Sequence, residues 1–156
     1  MNLAFIVWKF PIYSNSFILN EIVGLSKLGI NITIYSFSKP NESDAKLLSY
    51  GSDINLENKV VYLSDQDKNF LDWNILSDKN IPMCDNKITQ RLRNQRKSAQ
   101  KYSLLKSKDA FKNWVDDIKK RNIQILHSPF SNCTTDIALA LHYHTKLPFT
   151  FECHAF

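Results

Sequence analysis

Residues 123–156 read IQILHSPFSNCTTDIALALHYHTKLPFTFECHAF. The apolar run Ile123 to Leu126 ends at His127, and a second run, Pro148 to Phe151, ends at Glu152-Cys153-His154. Between them, Asp136 to Thr145 is apolar at Ile137, Leu139, Ala140 and Leu141. Short apolar runs flanking a helical segment indicate a β-α-β unit. Its crossover is expected to be right-handed and its strands parallel. Each strand then delivers a histidine at its carboxyl end, the edge at which open parallel α/β sheets bind ligands. His127 and His154 are therefore expected beside one crevice, although they are far apart in the chain.

The amino-terminal end repeats the pattern. Asn2 to Val7 reads as a buried strand. Trp8 to Ser16 reads as a loop in which Pro11 biases Phe10 away from helix. Ser14, Asn15 or Ser16 can cap the next element. Phe17 to Leu28 is expected to be a helix, with Ile18, Ile22 and Leu25 on one face and Leu28 close to it. Gly29 is placed as its C′ residue, and Ile30 to Phe37 as a second strand. This alternation is that of an α/β fold. The first β-α loop lacks G-x-G-x-x-G, so no dinucleotide site is read there. Its helix start offers backbone N–H groups that can dock an anion or, as at most helix ends, only water.

The middle of the chain is less patterned. Ser38 to Asn58 reads as a polar loop with Pro40 and Gly51 as breakers, and Lys59 to Leu63 as a third strand. Ser64 to Asp85 is mixed. Helices are expected over 87–106, through Ile88, Leu92, Ala99 and Tyr102, and over 108–121, through Phe111, Trp114, Val115 and Ile118. No repeat, low-complexity stretch or linker divides the chain.

At 156 residues, 44% hydrophobic and 22% charged, the chain has the make-up of one globular domain. No apolar run approaches the ~20 residues of a membrane span. The opening MNLAFIVWKFP lacks the basic region and cleavage site of a signal peptide. Cys84, Cys133 and Cys153 form no C-x-x-C pair, which suits a reducing compartment. The net charge of +5 is unevenly spread. Residues 87–121 hold twelve Lys and Arg against three Asp, and the rest holds eight against twelve Asp and Glu. Such a basic segment is a solvated helical face, a surface for anionic lipid headgroups, or a binder of nucleic-acid phosphates. No nucleic-acid motif accompanies it.

His127 and His154 are the leading chemical candidates by position; the alternative is a hydrogen-bonded structural histidine. His142 and His144 lie two apart and face different directions. With Cys133 and Cys153 they form no standard zinc spacing, so no metal site is read. Without a G-x-S-x-G elbow, a serine hydrolase is not read either.

Three stretches together carry a family resemblance. The opening LAFIVWKFPIYSNSFILNEIVGLSKLGINITIYSF is similar to a pattern of strand, F-P-x-x-S-E-T-F-I-x-x-E-I, helix, glycine and strand. Phe10, Pro11, Ser14, Phe17, Ile18, Glu21, Ile22 and Gly29 agree with it. ILHSPFS resembles I-H-A-H-F-A through His127 and Phe130, and LPFTFECHAF resembles I-P-F-x-F-T-x-H-A through Pro148, Phe149, Phe151, His154 and Ala155. The chain thus resembles the N-terminal domain of a family 4, GT-B-fold glycosyltransferase, in the exopolysaccharide and colanic-acid-type branch. The likeness covers about the first 40 and last 35 residues. Asn15 and Ser16 replace the usual Glu and Thr, and Pro129 stands where a second histidine is common.

The resemblance implies an α/β, Rossmann-like parallel sheet with helices on both faces, a single N-terminal acceptor-side domain over 1–156. It implies a retaining enzyme that moves a sugar from a nucleotide-sugar to a lipid-linked or saccharide acceptor in cell-envelope polysaccharide synthesis. Its place would be cytoplasmic, peripheral on the inner face of the cytoplasmic membrane, held there through 87–121. His154 would be the catalytic-site residue contacting the donor sugar or phosphate. Pro11, Ser14, Asn15, Ser16, Glu21 and His127 would bind substrate. No cofactor and no metal is implied; the nucleotide-sugar is the donor substrate, and nucleic acid is not a partner. The family's C-terminal donor domain is not within these residues. The expectation is that it, or a complementing chain, completes the enzyme and that the 156 residues alone do not turn over. The alternatives are a non-catalytic partner module of the same fold and a basic nucleic-acid-binding domain.

Overall fold

The computed structural model describes residues 1–63, 111–131 and 133–152. Its centre is a five-stranded sheet of β1 (Asn2–Lys9), β2 (Asn31–Ser38), β3 (Val60–Tyr62), β4 (Ile125–Ser128) and β5 (Phe149–Phe151). The strand order is β3-β2-β1-β4-β5, and every pairing is parallel. The chain runs outward from β1 through β2 to β3, then returns to the other side of β1 as β4. The order therefore reverses between β1 and β4, where the strand ends of a doubly wound sheet open into a crevice. This is the Rossmann-like α/β architecture expected from the sequence.

Period-two alternation divides the core in two. Leu3, Phe5 and Val7 of β1 and Ile32 and Ile34 of β2 pack with Ile18, Leu19 and Ile22 of α1 (Ser16–Lys27). Ala4 and Ile6 of β1 and Tyr35 and Phe37 of β2 share the other cluster. That cluster also holds Trp114 and Ile118 of α3 (Lys112–Lys120) and Ile137, Ala138 and Leu141 of α4 (Cys133–Thr145). Helices thus cover both faces, and β1 is buried on both sides, which explains its unbroken apolar run. Each such aliphatic or aromatic side chain contributes on the order of 1.5–3 kcal/mol by leaving water.

Several local expectations are corrected. β1 continues through Trp8 and Lys9, since Lys9 still pairs with Ser38 of β2. Leu28 is 80% exposed, not part of the α1 core face, because the helix closes there. Gly29, at φ +82°, reverses the chain, and the Ile30 and Gly29 N–H groups donate to the carbonyls of Leu25 and Ser26. The stretch read as a polar loop, 38–58, contains α2 (Glu42–Ala45) and two 3-10 segments, Lys46–Ile54 and Leu56–Lys59. The Asn41 side chain accepts the Asp44 N–H at 2.7 Å and starts them, while Leu47 and Leu56 anchor them in the core. Sparse apolar residues hid these turns.

The helix expected over 108–121 is α3. Phe111, just before it, takes a left-handed backbone (φ +56°) and is held by stacking on Trp114. The helix expected over 87–106 lies outside the described residues. No helix among the described residues is long and apolar enough to cross a membrane.

Candidate ligand site at the carboxyl edge

His127 sits on β4 at the reversal point, opposite Phe5 of β1 and Thr150 of β5. Its ring meets Phe5 edge-on at 4.9 Å. Nδ1 lies 2.9 Å from Thr150 Oγ1. Nε2 is buried and has no hydrogen-bond partner among the described residues. It faces two carboxylates, Glu152 Oε1 at 3.9 Å and Glu21 Oε1 at 4.0 Å, both beyond hydrogen-bond range. The His127 side chain is 12% exposed, that of Glu21 32% and that of Glu152 44%.

Simple geometry brings these three together. His127 has the parity of Ile125, so its side chain is on the α1 face of the sheet, whereas Leu126 joins the opposite cluster. Glu21 lies on α1 one turn beyond Phe17. The Phe17 ring is edge-on to Phe130, 5.8 Å away, which seats the first turns of α1 against the loop after β4. Glu152 follows β5 two residues beyond Thr150, and its N–H donates to the Ser128 carbonyl at 3.1 Å.

Burial pushes the His127 pKa below its usual value, and the Glu152 carboxylate opposes that shift. A neutral ring that donates from Nδ1 to Thr150 keeps the Nε2 lone pair turned toward the carboxylates. One ligand atom from each of Glu21, His127 and Glu152 lies within 4.8 Å of the others. The three groups are acceptors. They suit a ligand that brings donors, such as sugar hydroxyls, or a cation.

The loops on either side are tied down. Lys9 Nζ bonds Asp44 Oδ2 at 2.9 Å, and Asp44 Oδ1 accepts the Tyr13 N–H at 3.2 Å. The Tyr62 hydroxyl donates to the Phe10 carbonyl at 3.2 Å, and the Phe10–Pro11 peptide is cis. Pro11 is buried, Ser14 and Ser16 are exposed and Asn15 is half-buried. After β4, the Ser128 hydroxyl meets Thr134 Oγ1 at 2.6 Å, and Ser128 and Thr135 both donate to the Phe130 carbonyl. Pro129 is buried within this hydroxyl-pinned turn.

Of the residues singled out by sequence, Glu21 and His127 come together. Pro11, Ser14, Asn15 and Ser16 form the approach to α1 through a 3-10 turn, Tyr13–Asn15. Asn15 is the N-cap, but its side chain makes no capping bond. His154 and Cys153 lie outside the described residues. His142 bonds the Leu147 carbonyl through Nδ1 at 2.6 Å, and His144 packs edge-on against Tyr143. Glu152, Thr150 and the Lys9–Asp44 pair were not singled out. A signal for the first two existed: strands ending at His127 and near Glu152 in one parallel unit place those ends side by side. Nothing in the spacing of Lys9 and Asp44 announces their contact.

No protein-family model matches this chain, and no curated protein matches it. The fold therefore stands on the sheet itself, and the site on its own geometry.

Proposed function

We propose that this chain is the acceptor-side, N-terminal domain of a retaining family 4 glycosyltransferase of GT-B fold. It moves a sugar from a nucleotide-sugar to a lipid-linked or saccharide acceptor in cell-envelope polysaccharide synthesis. One observation carries this reading. The three stretches that bear the resemblance converge at the carboxyl edge, with Glu21 from the first, His127 from the second and Glu152 from the third.

The chemistry fits a sugar. Carboxylates and a neutral imidazole accept hydrogen bonds from vicinal hydroxyls, and the half-buried setting strengthens such bonds. The α1 amino terminus, whose N-cap side chain leaves the first-turn N–H groups alone, suits a diphosphate. Fixed donors of that kind stabilise the charge that develops on a departing nucleotide. No protein nucleophile is assigned. His154 contacts the donor sugar or phosphate. In this reading a donor domain, or a complementing chain, supplies the rest of the site.

The basic segment 87–121 holds the enzyme to the inner face of the cytoplasmic membrane. In its described part, α3 turns Trp114, Val115 and Ile118 inward and leaves Lys112, Lys119 and Lys120 exposed. The test is nucleotide release from a panel of nucleotide-sugars by a polypeptide extended through a donor domain. Release should depend on acceptor and fall roughly 10- to 150-fold in His154→Ala, the equivalent of one bond to a charged group. No release from any donor by the folded protein would favour a non-catalytic module.

A further inference from the structure

We infer that Thr150 is the positioning residue of this crevice: its hydroxyl oxygen accepts the Nδ1–H of His127 and holds the imidazole in the tautomer whose Nε2 is an acceptor. The effect on turnover rests on the sugar reading, whereas the tautomer is a property of the protein alone. The basis is one contact between neighbouring strands, His127 Nδ1 to Thr150 Oγ1 at 2.9 Å.

The register makes this contact. His127 and Thr150 are direct partners on β4 and β5. Residues paired in this way put their side chains on one face of the sheet. Threonine is β-branched and stiff at χ1, so its hydroxyl stays where the strand sets it. From the other side, the Phe5 ring of β1 meets the imidazole edge-on at 4.9 Å. A half-turn of the imidazole would set a carbon, Cδ2, against Thr150 and turn Nε2 away from the carboxylates. Only the observed orientation keeps the hydrogen bond.

The bond made by one ring nitrogen decides the state of the other. Were Thr150 the donor, Nε2 would carry a buried hydrogen with no acceptor in range among the described residues. The Glu152 and Glu21 oxygens stand at 3.9 and 4.0 Å. Orphaned buried N–H groups are rarer than under-satisfied acceptors. Thr150 is exposed, so its own O–H can bond water while its oxygen accepts. The two carboxylates still attract a hydrogen onto Nε2, and Thr150 acts against them. Without its hydroxyl the ring should revert to the Nε2–H tautomer, which prevails for a neutral imidazole in water.

The experiment reads the His127 ring ¹⁵N shifts of the folded 156-residue protein at about pH 8, where burial keeps the ring neutral. The proton is expected on Nδ1 in the wild type and in Thr150→Ser, which keeps the hydroxyl. In Thr150→Val, which keeps the β-branched shape, it should move to Nε2. A wild-type ring with its proton on Nε2 would overturn the inference, and so would a Thr150→Val ring that keeps the wild-type tautomer. In the extended polypeptide, Thr150→Val should lower kcat/KM by about 2- to 10-fold, the loss of one hydrogen bond. In a His127→Ala background it should lower it no further, because Thr150 acts through that ring. An equal fall in both backgrounds would also overturn the inference. Absence of sugar transfer with the tautomers as expected would count against the sugar reading instead.

Discussion

Lys9 and Asp44 close an ion pair at 2.9 Å between the end of β1 and the short helix α2. The same carboxylate accepts the Tyr13 N–H, so one side chain joins the strand, the following loop and α2. The Lys9 contact holds the Asp44 carboxyl below its ordinary range, against the opposing effect of burial. A carboxylate depressed in the folded state stabilises the protein above its unfolded pKa of about 4 and loses that contribution as pH falls through the folded value. Asp44→Asn should therefore lower the urea midpoint at pH 7, with the deficit shrinking below about pH 4. Urea unfolding of both proteins from pH 7 to pH 3 checks this. A deficit that stays constant across the range would mean the charge is not what matters.

Two glycines should respond in opposite directions. Gly24 lies inside α1, and an added Cβ would meet nothing within 4 Å. Gly24→Ala should stabilise by roughly 0.5–1 kcal/mol, since a mid-helix glycine has excess freedom in the unfolded chain. At Gly51 the new Cβ would stand 2.6 Å from Leu56 Cβ, an atom without a flexible tail to swing aside. Gly51→Ala should cost about 1–3 kcal/mol. Thermal unfolding of the two variants checks both signs.

Trp114 is 1% exposed, stacked on Phe111 and tilted against Tyr35 at 5.4 Å. Its indole nitrogen is buried without a partner among the described residues. Trp114→Ala should cost on the order of 3–5 kcal/mol through the cavity it leaves. Trp114→Phe should cost clearly less, because a phenyl ring refills most of that cavity. Equal losses in denaturant unfolding would show that filled volume is not what matters at this position.

Membrane attachment through 87–121 predicts sedimentation with anionic vesicles that weakens as salt rises, because exposed charges are screened beyond ~8 Å at physiological ionic strength. Equal binding to neutral vesicles, or none to either, would contradict it.

How much of this was readable from sequence follows from the range of each interaction. The strands announce themselves through local apolar runs, and Leu3, Phe5 and Val7 alternate with Ala4 and Ile6 as the two cores require. Gly29 marks the end of α1 through its own backbone freedom. The turns around Asn41 and Gly51 were hidden because few apolar residues mark them. The site was half readable. Parallel pairing puts His127 beside Thr150, and strand ends share an edge, but Glu21 reaches His127 only through the packing of Phe17 on Phe130. The Lys9–Asp44 pair is a long-range contact with no local trace.

The central claim is that the acceptors at the β1–β4 crevice hold a sugar substrate. Its most direct test is kcat/KM for sugar transfer by the extended polypeptide, compared with Glu21→Gln and His127→Ala variants of unchanged fold. Each removes a hydrogen-bond acceptor from the crevice. The account predicts a fall of roughly 10-fold or more in each, with Thr150→Val, which only releases the ring, falling less. Wild-type kcat/KM in both Glu21→Gln and His127→Ala would contradict it.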